Sequence, residues 1–185
     1  AAEQTLLEFV RSGRGFVVFH GATACFPAWT EFQQLIGYRF REPDRLLEAL
    51  THRSTLGELK PGEEGITYER LEFLGDSVLA LVTSVYLFHN FPEEDEGRLT
   101  QKKSLLVSKS VLAKKAEEIG IKEYIILSEN ALKGGVATQD SVLTAALEAV
   151  IGAIYLDGGL EPATNFVEDR ILDDMDEILE HRDHI

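Results

Sequence analysis

The sequence predicts an all-α domain. Apolar residues recur at helical spacing over several long segments. Gly- and Pro-rich stretches, "LGELKPGEEG" and "NFPEEDEG", punctuate them as loops. The strand-like stretch "GFVVFHGATACF" has no clear second strand near it. At 185 residues, with 44% hydrophobic and 27% charged residues, the chain has the make-up of one good-sized soluble domain with a sizeable core.

Residues 1–30 read as an N-terminal extension of unknown role, and residues 31–185 as the domain. The helical pattern begins in "WTEFQQLIGYRF". Pro43 suits the first turn of a helix through "DRLLEALTHRS". A long helix fits residues 67–89, where Leu71, Leu74, Val78, Leu81, Val82 and Val85 repeat at helical spacing. Helices follow at about 97–107 and 108–119, divided near Ser108. "GIKEYIILSENALKGG" reads mostly as loop. Residues 138–156 form an apolar helix that stops at "DGG", and a last amphipathic helix covers roughly 162–180.

The apolar run from Ser141 to Leu156 is too short for a membrane span and contains Glu148, so no membrane partner is expected. The start of the chain shows no basic region ahead of a long apolar core, and a cytoplasmic location is the expectation. A single cysteine, Cys25, excludes an internal disulfide framework and a Cys-based zinc site. The net charge of −14 argues against a nucleic-acid partner until its distribution is read. Between Arg98 and Lys115 there are six basic residues and no acidic one; between Glu168 and Ile185 there are eight acidic residues and two arginines. Lys102, Lys103 and Lys109 in the basic segment are candidates for RNA phosphate contacts, the alternative being a solvated helix face.

The stretch "YERLEFLGDS" sets Glu69, Glu72 and Asp76 on one helical stripe beside apolar residues. The helix 141–156 is apolar nearly all round, and its one charge is Glu148. A buried carboxylate must be neutralised, paired or bound to a metal. Glu69 or Glu72 could pair with Arg70 or His52. Glu72 and Asp76 on one apolar helix and Glu148 on the other point instead to a shared cation, and oxygen-only ligands suit Mg²⁺, with Mn²⁺ as substitute. Gly75, costly inside a helix, points to close packing beside the acids. A carboxylate-bridged di-iron bundle needs Glu-x-x-His pairs, which the sequence lacks.

"ERLEFLGDSVLALVTSVYLF" closely resembles the signature of the ribonuclease III family. "LIGYRFREPDRLLEALTHRS" resembles that family's opening helices, "EGRLTQKKSLLVSKSVLAKKAEEIGIKEYIILS" its middle helices, and "LEAVIGAIYLDGG" its second acidic motif. The resemblance covers about residues 33–180. It implies the ribonuclease III endonuclease-domain fold, a homodimer, and Mg²⁺-dependent hydrolysis of double-stranded RNA to 5′-phosphate and 3′-hydroxyl products. It also implies that Glu72, Asp76 and Glu148 are catalytic and metal-binding, and that Phe73 is the aromatic inserted into the partner subunit. By residue pattern alone Phe73 is an ordinary core residue. Glu69 takes a supporting role, and His52, Arg53 and Ser54 match the family's His-Arg-Ser, with a structural hydrogen-bonding role. The double-stranded-RNA-binding domain that usually follows is not expected in this chain.

One position departs from the family. Where an Asp usually stands three residues before the second-motif Glu, this chain has Ala145, preceded by Thr144 in place of the usual Ala or Gly. The expectation is therefore an endoribonuclease domain impaired by Ala145. The alternative is a non-catalytic RNA-binding or scaffolding dimer of the same fold.

Overall fold

The computed structural model describes residues 27–59, 62 and 65–180. Nearly all of the expected N-terminal extension, including "GFVVFHGATACF", lies outside the described residues. Helix α1 spans Pro27–Ile36 and α2 spans Pro43–Leu50, with Pro43 at its first turn as the sequence predicts. Helix α3, Glu69–Asn90, follows the loop, and α4, Glu96–Leu106, opens on Asp95, whose side chain accepts the Arg98 N–H. Helix α5, Lys109–Ile119, begins after Ser108 and ends on Gly120 at φ +79°, a conformation that suits glycine. Helices α6, Glu129–Lys133; α7, Asp140–Gly158; α8, Leu160–Arg170; and α9, Met175–Glu180 complete the order. Among the described residues there is no β-strand, only one parallel bridge pairing Thr51 with Ile126.

Helix α7 is the axis of the domain. Residues from Val142 to Leu147 and from Ala149 to Ile154 are buried, and α2, α3, α5 and α8 pack around them. Both α3 and α7 are long and apolar enough to cross a membrane by composition, but 67% of the apolar window of α7 is buried inside the domain, as in a core helix. Asp157 ties the end of α7 to the start of α2: its carboxylate accepts the Tyr38 hydroxyl at 2.6 Å and the Arg41 and Glu42 N–H groups at 2.8 and 2.9 Å.

Two stretches differ from the sequence reading. Residues 121–133, read as mostly loop, contain a 3₁₀ turn at Ile121–Tyr124, the bridge to Thr51, and helix α6, capped by Ser128. The last helix is broken at 171–174. There Lys115 of α5, almost wholly buried, binds Asp173 and Asp174, both at 2.7 Å, while Ile171, Leu172 and Met175 turn into the core. Desolvation opposes the charge of Lys115, but its hydrogen bonds to the two aspartates outweigh that and raise its pKa. The ion pair and the buried apolar groups set the break, and helical periodicity cannot see either.

Candidate active site

Two glycines determine where the acids sit. A Cβ on Gly75 would lie 2.6 Å from the Glu148 carbonyl carbon and 3.0 Å from the Gly152 nitrogen. A Cβ on Gly152 would lie 3.1 Å from the Gly75 nitrogen and 3.2 Å from the Leu71 carbonyl carbon. Helices α3 and α7 therefore meet backbone to backbone at this pair, closer than any side chain allows. Glu72 and Asp76 flank Gly75 on α3, and Glu148 lies one turn before Gly152 on α7. The crossing brings the three predicted acids into one neighbourhood.

Their electrostatics carry the mark of that neighbourhood. Desolvation pushes the half-buried Glu148 carboxyl up to about 7, and the charges of Asp76 and Glu72 add to it. Glu72 is raised by burial, then by Glu69 and Asp76. Among the described residues, none of Glu72, Asp76 and Glu148 has an ion pair or a side-chain hydrogen bond. The Arg70 or His52 pairing that could have neutralised Glu72 is not made. One oxygen of Glu69, Oε2, is buried without a hydrogen-bond partner. Crowded, unneutralised oxygen donors are what a hard divalent cation takes, so the residues present fit Mg²⁺ or Mn²⁺ in charge and chemistry. Among the described residues no three such side chains converge closely enough to close a ligand set, so the set stands open. Ala145, buried and three residues before Glu148, contributes no donor where one more carboxylate would face the same side of α7.

One turn before Glu148, the Thr144 hydroxyl donates to the Lys109 carbonyl at 3.2 Å and ties the start of α5 to α7. The basic segment is largely spoken for. Arg98 and Lys102 pair with Glu94, and Lys102 also sits over the Phe91 ring at 4.4 Å. Lys114 pairs with Glu118, and Lys115 is buried in its own cluster. Among the described residues Lys103 and Lys109 form no ion pair. Of the three lysines singled out in the sequence, Lys102 is engaged and these two are not.

The His-Arg-Ser segment lies beside the start of α3. His52 Nδ1 accepts the Ser54 N–H at 3.0 Å, and Ser54 Oγ accepts the Ser128 N–H at 3.0 Å. Burial lowers the His52 pKa, with Glu69 opposing and Arg53 adding. The Tyr68 hydroxyl is pushed up to about 12 by burial and then by Glu72 and Glu69. Phe73 is not a core residue: it is 79% exposed, on an outward stripe of α3 with Leu81, Val85 and Phe88.

Comparison with known proteins agrees with this architecture. A family model described as ribonuclease-III-like matches residues 42–175. The chain belongs to the ribonuclease III family. A ribonuclease 3 of Ehrlichia canis is 48% identical over 134 residues, which are 71% of this chain and 57% of that protein. A ribonuclease 3 of Methylococcus capsulatus is 45% identical over 126 residues, 68% of this chain and 51% of that protein. The chain thus spans about half the length of the curated relatives it matches. Among solved structures, the nuclease domain of ribonuclease III from Campylobacter jejuni superposes with a TM-score of 0.70 at 37% identity, covering 77% of this chain and 95% of that one. The described fold is that of a ribonuclease III nuclease domain.

Two positions that shape the site were not singled out from sequence. Gly152 is the partner of Gly75. Its signal was available: it follows Glu148 by four residues, inside an apolar helix where a glycine is unfavourable. Asp157, in sequence only part of the helix stop "DGG", anchors α2 through its carboxylate.

Proposed function

We propose that this domain is a Mg²⁺-dependent endoribonuclease of double-stranded RNA, slowed in this chain by Ala145. The observation that carries the proposal is the set of three carboxylates at the α3/α7 crossing with, among the described residues, no cationic side chain to neutralise them. A fold without a cation to bind gains nothing from holding like charges together, since each raises the others' cost of ionisation.

Glu72, Asp76 and Glu148 would hold the cation through their carboxylate oxygens. When bound, Mg²⁺ supplies Lewis-acid chemistry, activating water and stabilising charge on a phosphodiester, which yields 5′-phosphate and 3′-hydroxyl ends. The crossing glycines let the two helices approach closely behind the acids. Lys103 and Lys109 are free to contact RNA phosphates, and little sequence preference is expected, because A-form duplexes are recognised by shape and 2′-hydroxyls. The exposed stripe of Phe73, Leu81, Val85 and Phe88 supports assembly as a homodimer, with Phe73 as the anchor. The Campylobacter jejuni nuclease domain is likewise described as having a region involved in dimer formation.

Ala145 favours a second reading, a non-catalytic RNA-binding or scaffolding dimer. Cleavage of long duplex RNA in Mg²⁺ separates the two. The parent chain is expected to cut slowly. Ala145→Asp should raise the rate by about 10²–10³, by analogy with restoring one preorganised electrostatic group. Glu148→Gln added to that variant should abolish the gain. A folded, dimeric, RNA-bound Ala145→Asp variant that remains inert would favour the scaffold.

A further inference from the structure

The first turn of α3 carries Glu69 and Glu72, yet it has no cap of its own. Its N-cap residue, Tyr68, has helical backbone angles (φ −75°, ψ −12°) and makes no capping hydrogen bond through its side chain. An uncapped first turn leaves its N–H groups unsatisfied and frays. What holds it is the segment before the loop. The Tyr68 N–H donates to the Thr51 carbonyl at 3.0 Å, and the buried Tyr68 ring meets the His52 ring edge-on, with centroids 5.7 Å apart. His52 is itself fixed on several sides. Its N–H donates to the Ile126 carbonyl at 3.0 Å, its Nδ1 accepts the Ser54 N–H, and its carbonyl accepts from the Thr55 N–H and hydroxyl. With Nδ1 an acceptor, the proton of the neutral ring is on Nε2.

We infer that His52 is a positioning residue for the carboxylates at the start of α3, acting through its ring contact with Tyr68 as well as capping its own turn. It touches no reacting group. It sets the registry of the turn that presents Glu72, and the bridge to Ile126 makes that registry depend on the segment leading into α6. The inference rests on the reading of Glu72 as a cation ligand.

Two substitutions separate the ring contact from the cap. His52→Asn keeps an acceptor for the Ser54 N–H and removes the ring. His52→Phe keeps an aromatic edge for Tyr68 and removes the acceptor. The readouts are Mn²⁺ affinity by calorimetry and amide hydrogen exchange at Tyr68 and Glu72, whose N–H groups donate to the Thr51 and Tyr68 carbonyls. His52→Asn should speed exchange in that turn and weaken Mn²⁺ binding about tenfold, the usual scale for residues that orient ligands, while α7 amides and the melting midpoint stay near the parent's. His52→Phe should melt lower and keep both turn protection and affinity. A role limited to capping gives the opposite order. Parental exchange at Tyr68 and Glu72 in His52→Asn overturns the inference. A parent chain that binds no Mn²⁺ defeats the carboxylate reading instead, and the positioning of the turn is then decided by exchange alone.

Discussion

Replacing Gly75 by Ala tests how the site is built. A Cβ there would stand 2.6 Å from the Glu148 carbonyl carbon, against about 3.4 Å for ordinary contact, and closer still to its oxygen, so α3 and α7 must part by more than 0.8 Å at the crossing. Neither obstacle is a side-chain end that could swing away: both the Glu148 carbonyl and the Gly152 nitrogen are helix backbone. Overpacking of this kind costs about 1–3 kcal/mol, and backbone partners place it at the upper end. Removing a glycine from a helix interior returns about 1 kcal/mol. The net loss is about 2 kcal/mol, which lowers the melting midpoint of a domain this size by roughly 4–8 °C. Gly57→Ala is the control. Gly57 lies in the 3₁₀ turn Arg53–Glu58 with nothing within 4 Å of its added Cβ, and its effect should stay within about 0.5 kcal/mol. The assay is thermal unfolding followed by circular dichroism. Parting the helices should also let the Glu148 carboxyl relax toward its ordinary value, read by carbon-13 NMR titration. A Gly75→Ala chain that melts at or above the parent's midpoint would refute the close crossing and the placement of the acids that follows from it.

Without divalent metal, stability should fall as pH rises from about 4.5 through 7. Glu148 has a folded pKa raised above its unfolded value, so its contribution is full below 4.5 and lost through about 7. Glu72 acts in the same direction. Discounted for solvent exposure the Glu148 effect is about 1 kcal/mol, and Glu148→Gln should flatten the slope of the urea midpoint against pH in EDTA; equal slopes would dismiss the effect. Phe73→Ala should keep helical content and weaken self-association, and a parent chain that sediments as a monomer at micromolar concentration would remove the dimer. Asp157→Asn should lose about 1–3 kcal/mol, since one carboxylate accepts three hydrogen bonds there. Those bonds outweigh desolvation and hold the Asp157 pKa low, so its contribution should be present above the ordinary carboxylate range and vanish as pH falls; an Asp157→Asn chain with an unchanged acid limb in its unfolding profile would contradict the anchor.

The helices were legible where one face is apolar over many residues. The long helix and the apolar helix appeared within about two residues of their observed ends, and the divide at Ser108 held because Ser108 takes the N-cap position of α5 with extended backbone. The acids were legible because a charge inside an apolar helix demands a reason. What periodicity missed was decided by contacts distant in sequence. The 171–174 break follows from Lys115, 58 residues away, binding Asp173. The order in 121–133 follows from pairing with Thr51. The charge run at 98–115 looked uniform in sequence, yet Glu94, Glu118 and Asp174 divide it into engaged and free lysines. Phe73 looked like core by composition, and only the packing of α3 shows that its face is outward.

The central claim is that like charges at the α3/α7 crossing are tolerated because a divalent cation joins them. Melting with and without millimolar Mn²⁺, paired with calorimetry on the same protein, tests it most directly. Binding to the native state raises stability by RT ln(1 + [L]/Kd), about 2.7 kcal/mol at a hundredfold excess over Kd. The account predicts a raised midpoint in the parent chain, a larger rise in Ala145→Asp, and none in Glu148→Gln. An unchanged midpoint in both the parent and Ala145→Asp, with no heat of binding, would contradict it.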